Sequence, residues 1–232
     1  MRLSIMQPYF LPYIGYFQLV AAADQFVIYD QIKYTKKGWI NRNRMLLNGS
    51  DALFSLPLKK GSDSLDVVER ELAPEFDRAK LLSQFAGAYR RAPHFASTFA
   101  LLERIVRYED NNLFRYIHHS LTAMFTYLDI TTPIRISSTV SIDRHLKGQD
   151  MVLAICSEVG AREYVNSMGG TALYSKQDFS DRDVKLQFLK PHFFQYEQFG
   201  EPFVPWLSIV DVLMFNSIEK VRGVTAAHYD LV

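Results

Sequence analysis

The segment 33–44 combines side chains that bind phosphate with one that stacks on a base. Within twelve residues it holds five cations, a tryptophan and two amides. Guanidinium and ammonium groups bind phosphate oxygens, and a ring between them can stack on a nucleobase. The alternative is a solvated loop and a strand with a basic outer face, but the tryptophan and the paired amides favour binding. The members are Lys33, Lys36, Lys37, Trp39, Asn41, Arg42, Asn43 and Arg44.

A second candidate lies between the first predicted strand and the first predicted helix. It contains Gln7, Tyr9, Tyr13, Gly15 and Tyr16, with two prolines within five residues. Ligands of open parallel sheets bind beyond the carboxyl ends of the strands, and a glycine at a helix start lets a phosphate approach free backbone N–H groups. Alternatively, the aromatic residues are core and Gly15 only relieves packing. A rigid polar turn at Gln7 is an unusual way to build core, which favours a ligand site.

Five other positions have both a structural and a chemical interpretation. Gly169 and Gly170 follow a predicted strand, where paired glycines either admit an anion or only close a tight turn. Asp30 ends the second predicted strand and either binds a ribose hydroxyl or an amine, or caps the next turn. Ser208 and Asp211 are spaced as a helix N-cap and a first-turn carboxylate, and spacing alone favours that capping role.

The histidines and the cysteine do not have the spacing of a metal site. His118 and His119 are neighbours on a predicted helix and therefore point about 100° apart. The other histidines are scattered along the chain without metal-ligand spacing. Cys156 lies on the apolar face of its predicted helix. We therefore predict no metal site and a buried, unreactive thiol.

Strands and helices alternate at both ends of the chain. Strand 3–7, helix 15–23 and strand 25–29 form a compact βαβ pattern, which implies a parallel sheet. Asn48-Gly49 predicts a hairpin between 44–47 and 53–58.

The middle of the chain has a different pattern. Between about 76 and 128 apolar residues recur at intervals of three and four, which predicts three helices. After position 133 the pattern predicts strands at 134–137, 163–166 and 184–189. It also predicts helices at 150–159, 171–179 and 208–217. The first of these helices would be capped by Asp150 and ended by Gly160. We predict one α/β domain over 1–232 with a Rossmann-like, mostly parallel sheet and a helical subdomain inserted at about 76–128.

Composition limits the classes of function. The 232 residues are 48% hydrophobic and 14% aromatic, which excludes a disordered chain. The net charge of +1 creates no global attraction for nucleic acid or anionic membrane, so an anion site must be local. One cysteine excludes an internal disulfide framework. The apolar N-terminus is interrupted by polar residues and prolines, and no run approaches about 18 apolar residues. We predict a cytoplasmic protein without nucleic-acid partners or membrane insertion.

These segments resemble the WbqC-like family from end to end. The similarity lies in residues 7–17 (Gln-Pro-Tyr-Phe-Leu-Pro-Tyr-Ile-Gly-Tyr-Phe), 26–30, 39–43 and 203–211 (Phe-Val-Pro-Trp-Leu-Ser-Ile-Val-Asp). Tyr13 is a departure, since many members carry tryptophan there. The resemblance implies a role in bacterial surface-polysaccharide (O-antigen) biosynthesis, in which glycine transfer onto an amino sugar has been suggested. The implied partner is an amino sugar or a nucleotide sugar.

A shorter resemblance concerns Tyr13-Ile14-Gly15-Tyr16. Strand, loop, this tetrapeptide, helix and strand look like the arrangement in HIGH-motif nucleotidylyltransferases, which implies ATP as a cofactor. Both motif histidines are tyrosines here, so the cationic cluster would have to supply the missing charge.

Together the two resemblances define a hypothesis of ATP-dependent carboxylate activation followed by amide formation. Gln7, Gly15 and Tyr16 would position phosphates, and Trp39 would stack on the base. Lys36 and Arg42 would stabilise developing charge. Asp30 or Asp211 would orient the acceptor amine or take its proton. Two alternatives stay open: an acyl or aminoacyl carrier replaces ATP, or the protein is a non-catalytic nucleotide-sugar-binding or assembly protein. The oligomeric state is left open. The remaining candidate binding residues are Tyr9, Tyr13, Asn41, Asn43, Gly169, Gly170 and Ser208.

Overall fold

A computed structural model describes residues 1–62, 64–200 and 202–232 of the chain. Its centre is a six-stranded sheet with the order β5-β2-β1-β6-β7-β8, beside a separate two-stranded hairpin formed by β3 and β4. The strands are β1 (Arg2–Met6), β2 (Gln25–Ile28), β3 (Arg42–Leu47), β4 (Ser50–Ser55), β5 (Ile134–Ile136), β6 (Glu163–Ser167), β7 (Lys185–Pro191) and β8 (Tyr229–Leu231).

Eight α-helices connect and cover these strands in the described ranges. Short 3₁₀ turns lie at Val67–Glu69, Ser137–Thr139 and Met168–Gly170. The helices are α1 (Ile14–Ala21), α2 (Arg78–Tyr89), α3 (Phe95–Val106), α4 (Leu113–Tyr127), α5 (Gly148–Val159), α6 (Lys176–Ser180), α7 (Ile209–Phe215) and α8 (Ile218–Ala227). None of them combines the length and apolar character that a membrane span needs.

The strand order creates a crevice between β1 and β6. From β1 the chain moves outward through β2 to β5, and it then returns to place β6 on the other side of β1. All pairings along β5-β2-β1-β6-β7 are parallel, and only β8 is antiparallel to its neighbour. The predicted Rossmann-like α/β class with a mostly parallel sheet is confirmed. A reversal of this kind opens a crevice at the carboxyl edge.

The sheet separates two buried layers because its side chains alternate between faces. Leu3, Ile5 and Val27 pack with α5 and α6, whereas Phe26 and Ile28 pack with α1 and the other helices. Both faces of the sheet are therefore covered, and the central strand β2 has an unbroken apolar run at Phe26–Ile28. Cys156 is buried on the α5 side, as predicted. Burial raises the pKa of its thiol to about 12.

The hairpin and the three central helices lie where the sequence predicts them. Asn48 and Gly49 have left-handed φ angles of 50° and 77°, the conformation that a tight two-residue turn requires. Helices α2 to α4 fall within the predicted 76–128 region, and their apolar faces join the layer that also covers α1. The division into one α/β domain and an inserted helical subdomain stays a prediction.

Three predictions about local structure were wrong. Helix α5 begins at Gly148, so Asp150 lies in its first turn rather than at the N-cap. Residues 171–173 form a turn, and the helix predicted over 171–179 begins only at Lys176. The predicted last helix ends at Phe215, and the sequence pattern missed both α8 and β8.

Candidate functional site

A cavity of about 400 Å³ opens at the carboxyl edge of the sheet. Met6 at the end of β1, Ser167 at the end of β6 and Leu189 in β7 form its floor. The walls come from the loop before α1, from α1 itself and from four later segments. The cavity therefore occupies the crevice where the strand order reverses, which is where ligands of open α/β sheets bind. The wall residues are Tyr9, Pro12, Tyr13, Gly15, Tyr16, Leu19, Trp39, Asn43, Arg44, Met168, Gly169, Pro191 and Trp206.

The lining is aromatic and nearly uncharged. Tyr9, Tyr13 and Tyr16 share the lining with both tryptophans of the chain, Trp39 and Trp206, which are 43% and 52% exposed. Among the described lining residues Arg44 is the one charged side chain. An apolar cleft with a few polar groups is typical of a small-molecule site. This one suits a ligand with flat or apolar surfaces and one anionic group.

Hydrogen bonds to a single carbonyl fix the loop before α1. Leu11 has a left-handed φ of 46°, a strained conformation for a leucine. Its carbonyl accepts from the side-chain amide of Asn43 at 2.9 Å and from the hydroxyl of Ser208 at 2.7 Å. Phe10 N also donates to the carbonyl of Ile40. The loop, the hairpin and the start of α7 are thereby joined into one wall.

Trp206 is held outward by a strained backbone. Its φ is 60°, and left-handed geometry costs a non-glycine residue about 1–2 kcal/mol. The carbonyl of Trp206 accepts a hydrogen bond from the guanidinium of Arg44 at 3.2 Å. Two residues further on, the backbone N–H of Ser208 donates to the carbonyl of Arg44. The indole stays half exposed and lies 5.4 Å from the Tyr13 ring. Strain that presents a large side chain to the cavity is a mark of a binding site.

Arg44 has capacity left for a ligand. Its guanidinium carbon lies 5.6 Å from the Trp39 ring centre. One terminal nitrogen is 3.3 Å from the carboxylate of Asp51, a partly exposed pair of small energetic value. Its buried Nε has no hydrogen-bond partner. Each terminal nitrogen carries a second N–H beyond its contact with Asp51 or Trp206, and the side chain is 31% exposed, so these are the donors that an anion in the cavity can reach.

The three lining tyrosines remain protonated near neutral pH. Burial raises the pKa of Tyr13 to about 12. Burial also raises the pKa of Tyr16 well above its usual value, and the nearby Tyr9 adds to this effect. The hydroxyl of Tyr9 donates to Gln7 Oε1, and that of Tyr16 to the carbonyl of Gln7. Tyr13 can therefore donate to a ligand or stack on it, whereas Tyr9 and Tyr16 can stack or accept a hydrogen bond, and none of the three is a good base.

Gly15 is required by close packing at the start of α1. A Cβ at this position would lie 2.7 Å from Tyr13 Cε1 and 3.3 Å from Pro191 Cγ. A glycine here keeps the Tyr13 ring against the helix and the cavity open.

The structure brings seven of the predicted residues together around the cavity. They are Tyr9, Tyr13, Gly15, Tyr16, Trp39, Asn43 and Gly169. Eight others lie outside the lining: Gln7, Asp30, Lys36, Asn41, Arg42, Gly170, Ser208 and Asp211.

The two predicted catalytic cations lie on the outer side of the cluster. Lys36 is exposed in the loop before Trp39. Arg42 donates to the carbonyls of Lys37 and Gly38 and lies 5.8 Å from the Trp39 ring centre. Arg42 therefore shapes the loop that carries Trp39. The side chain that reaches the cavity is Arg44, two residues along the same face of β3.

Asp30 is buried and committed to the turn after β5. Its carboxylate accepts from the hydroxyl of Ser137 at 2.7 Å and from the N–H of Ser138 at 2.9 Å. Asp30 therefore caps the turn after β5 and not the turn that follows it in sequence, as the capping alternative had it. It lies at the same carboxyl edge of the sheet as the cavity but outside the cavity lining.

Asp211 is fully buried, and no cationic side chain of the described residues pairs with it. Its carboxylate accepts from Tyr89 at 2.9 Å, from Tyr196 at 2.6 Å and from Gln198 at 2.8 Å. Burial raises its pKa, and these three hydrogen bonds oppose that effect. The Tyr89 hydroxyl also accepts from the N–H of Leu46 in β3. The network fixes the hairpin against α2 and α7, which assigns Asp211 a positioning role in our proposal.

The remaining predicted residues support the walls. Asn41 is buried between the Tyr34 hydroxyl and the carbonyl of Leu56. Ser208 caps α7, as its spacing predicts. Gly170 is buried, and a Cβ there would lie 2.8 Å from Asn166 Nδ2.

Sequence reasoning gave no individual role to Arg44 or Trp206. Both stand in segments that the sequence singles out, but their roles depend on each other across 162 positions. The period-two alternation of β3 was the available signal, since it puts Arg42 and Arg44 on one face and Asn43 on the other. It does not tell which arginine reaches the cavity.

Comparison with known proteins assigns the chain to a family. The model of the WbqC-like protein family matches residues 7–223. The chain belongs to the WbqC-like protein family. The match begins at the loop before α1 and ends in α8, so it includes every cavity wall.

A curated relative extends over nearly the whole chain. The uncharacterized protein Rv1507c of Mycobacterium tuberculosis (strain ATCC 25618 / H37Rv) is 27% identical over 218 residues, which is 93% of each chain. No solved structure matches the chain. The WbqC-like assignment confirms the resemblance of the N-terminal and C-terminal motifs. The similarity of residues 13–16 to HIGH-motif enzymes is not confirmed by either comparison.

Proposed function

We propose that the protein binds a nucleotide-linked amino sugar in the cavity and transfers glycine or a similar acyl group to its amine during bacterial surface-polysaccharide synthesis. The observation that carries the binding part is the aromatic cavity at the strand-order reversal, with Arg44 as the charged group in its described lining. A nucleobase and a sugar ring offer flat surfaces to Trp39 and Trp206, and a phosphate matches the guanidinium. WbqC-like family membership supports the polysaccharide context.

The lining does not fit an ATP triphosphate. One guanidinium faces the cavity, and its described lining contains no Asp, Glu, His or Lys. A triphosphate needs several cations, and the magnesium that accompanies it prefers carboxylate oxygens. We therefore favour a donor whose acyl group is already activated on a carrier. The amine attacks the acyl carbon, the bond to the carrier breaks, and one amine proton leaves with the carrier.

The same lining supports a second candidate. Because no carboxylate or imidazole lies among the described wall residues, a base that deprotonates the amine would have to come from a substrate. A non-catalytic nucleotide-sugar-binding protein of the polysaccharide pathway needs no base. Binding is common to both candidates, and turnover distinguishes them.

The two tryptophans provide the binding assay because both line the cavity. UDP-glucosamine should change their fluorescence in a saturable way, and UDP-glucose serves as the control that lacks the amine. The absence of any response to nucleotide sugars would overturn the proposal.

The protein with its bound nucleotide sugar is then incubated with a glycyl thioester, or with glycine and ATP, and the sugar is examined by mass spectrometry. An added glycyl group identifies the transferase and its donor, and binding without product identifies the non-catalytic candidate.

A further inference from the structure

Four large apolar side chains are exposed at the cavity opening. Trp39, Met168 and Trp206 line the cavity and are 43%, 40% and 52% exposed, and Phe193 is 59% exposed with its ring centre 6.4 Å from that of Trp206. We call these four residues the aromatic rim. Soluble monomers seldom group exposed side chains of this size, and such patches mark interaction surfaces.

The rim is a built surface. The strained backbone of Trp206 is held by Arg44, and Phe193 packs edge-on against Phe203 with ring centres 5.9 Å apart. Trp39 lies beside the guanidinium groups of Arg42 and Arg44. These contacts hold the large apolar side chains toward solvent. In a disordered loop the same side chains would collapse onto the protein surface.

Positive charge adjoins the rim. Residues 31–50 contain five cations and no Asp or Glu. Lys33 and Lys37 are exposed, and the carbonyl of Lys37 accepts from Arg42, which places that lysine's loop next to Trp39. We call residues 33–38 the basic loop. At physiological salt its field extends about 8 Å, far enough to act on any surface that the rim touches.

We infer that the aromatic rim and the basic loop dock the cavity opening on an anionic lipid surface. Tryptophan and phenylalanine partition into the headgroup region, and neighbouring lysines are attracted to anionic headgroups. Charge argues against a second copy as the occupant, because a two-fold contact through the rim brings two basic loops together. The inference goes beyond the proposed function and does not depend on it.

The test is sedimentation of the full chain with lipid vesicles. Vesicles of phosphatidylcholine with added phosphatidylglycerol should bind the protein at least about tenfold more tightly than phosphatidylcholine alone, and added salt should weaken that binding. Phe193→Ser should lower the partition coefficient about tenfold. Lys37→Gln should lower it about fivefold.

Matched controls use the same changes away from the rim. Phe199→Ser alters a phenylalanine that is 41% exposed and whose ring contacts Phe215 and Arg91. Lys80→Gln alters an exposed lysine of α2. Both should bind vesicles as the wild type does. Circular dichroism establishes that each variant is folded. Equal binding to both vesicle types, no binding to either, or equal losses in rim and control variants would overturn the inference. So would a dimer in gel filtration that Phe193→Ser dissociates while vesicle binding is absent.

Discussion

The side-chain amide of Asn43 donates to the main-chain carbonyl of Leu11 across 32 positions of sequence, at 2.9 Å. The amide is buried, and the leucine that it holds has a left-handed backbone. Because Ser208 donates to the same oxygen, this carbonyl is the point at which the two sides of the cavity wall meet. The strain at Leu11 persists only while these donors are present.

Replacing the Asn43 donor by an acceptor should destabilise the fold. Asn43→Asp keeps the side-chain shape and the oxygen that accepts from Arg44 N, but it sets a carboxylate oxygen against the Leu11 carbonyl. We expect the free energy of unfolding to fall by about 2 kcal/mol in urea denaturation. Asn111→Asp, the same change at an exposed position, should stay within about 0.5 kcal/mol of wild type. Similar losses in both variants would mean that the Leu11 contact is unimportant.

Gly15→Ala should affect the cavity more than the fold. The new Cβ displaces the Tyr13 ring, which lies 5.4 Å from Trp206, so tryptophan fluorescence should shift. Nucleotide-sugar affinity should fall about tenfold, or about 1.4 kcal/mol. Gly223→Ala in α8 meets no atom within 4 Å and should raise stability by about 0.5–1 kcal/mol without changing affinity. An unchanged Kd for Gly15→Ala would remove Tyr13 from the binding surface.

The two arginines of β3 should differ in their effect on the ligand. Arg44→Ala removes the guanidinium that faces the cavity and should weaken nucleotide-sugar binding about 10- to 100-fold, as expected for a charged hydrogen bond. Arg42→Ala loses contacts to the carbonyls of Lys37 and Gly38, so it should act mainly on the Trp39 loop and weaken binding less. Calorimetric titration at two salt concentrations checks both. Equal losses, or a greater loss for Arg42→Ala, would contradict the assignment of Arg44 to the phosphate.

Asp211 should make the fold less stable as pH rises. Its pKa in the folded state is raised above the unfolded value of about 3.9. Between these two pKa values the folded state binds more protons than the unfolded state, so the free energy of unfolding falls with increasing pH and then levels off. Urea denaturation of the wild type, carried out from about pH 4 (close to the unfolded pKa) up to neutral pH, should show this decrease in the free energy of unfolding.

Two substitutions separate charge from hydrogen bonding at this position. Asp211→Asn can still accept from Tyr196 and Gln198, and its amide can donate to the Tyr89 hydroxyl, so it should fold and lose the Asp211 part of the pH slope. Asp211→Leu leaves these donors unpaired and should cost about 3 kcal/mol or more. A pH slope that Asp211→Asn leaves unchanged would assign the dependence to other groups.

Local chemistry was sufficient to predict most of the sheet and the central helices. The βαβ unit follows from the apolar runs around Gly15, and the hairpin from Asn48-Gly49, since only a few residue types tolerate its φ angles. Helix α8 was missed because its buried face within the element consists of Val221 and Thr225, with Gly223 between them. Strand β8 has three residues, and its existence depends on β7, more than thirty positions away.

The sequence singled out the segments that line the cavity but not all the side chains that line it. Tyr13, Gly15 and Trp39 line the cavity because they lie at chain positions that the sheet topology brings to one edge. Lys36 and Asp211 were chosen by charge, and charge alone does not tell whether a side chain faces a cavity, solvent or a buried network. The partners of Asp211 come from residues 89, 196 and 198, contacts that no local pattern reveals.

The hydrogen bonds to the Leu11 carbonyl also determine when, during synthesis of the chain, the site can form. Its second donor, Ser208, lies 197 residues further along the chain. A nascent chain that has reached α5 already contains every residue of the loop before α1, yet it has neither the donor that completes the wall nor Trp206. The site is therefore acquired late, when the C-terminal segment docks, and ligand binding would report that the protein has finished folding.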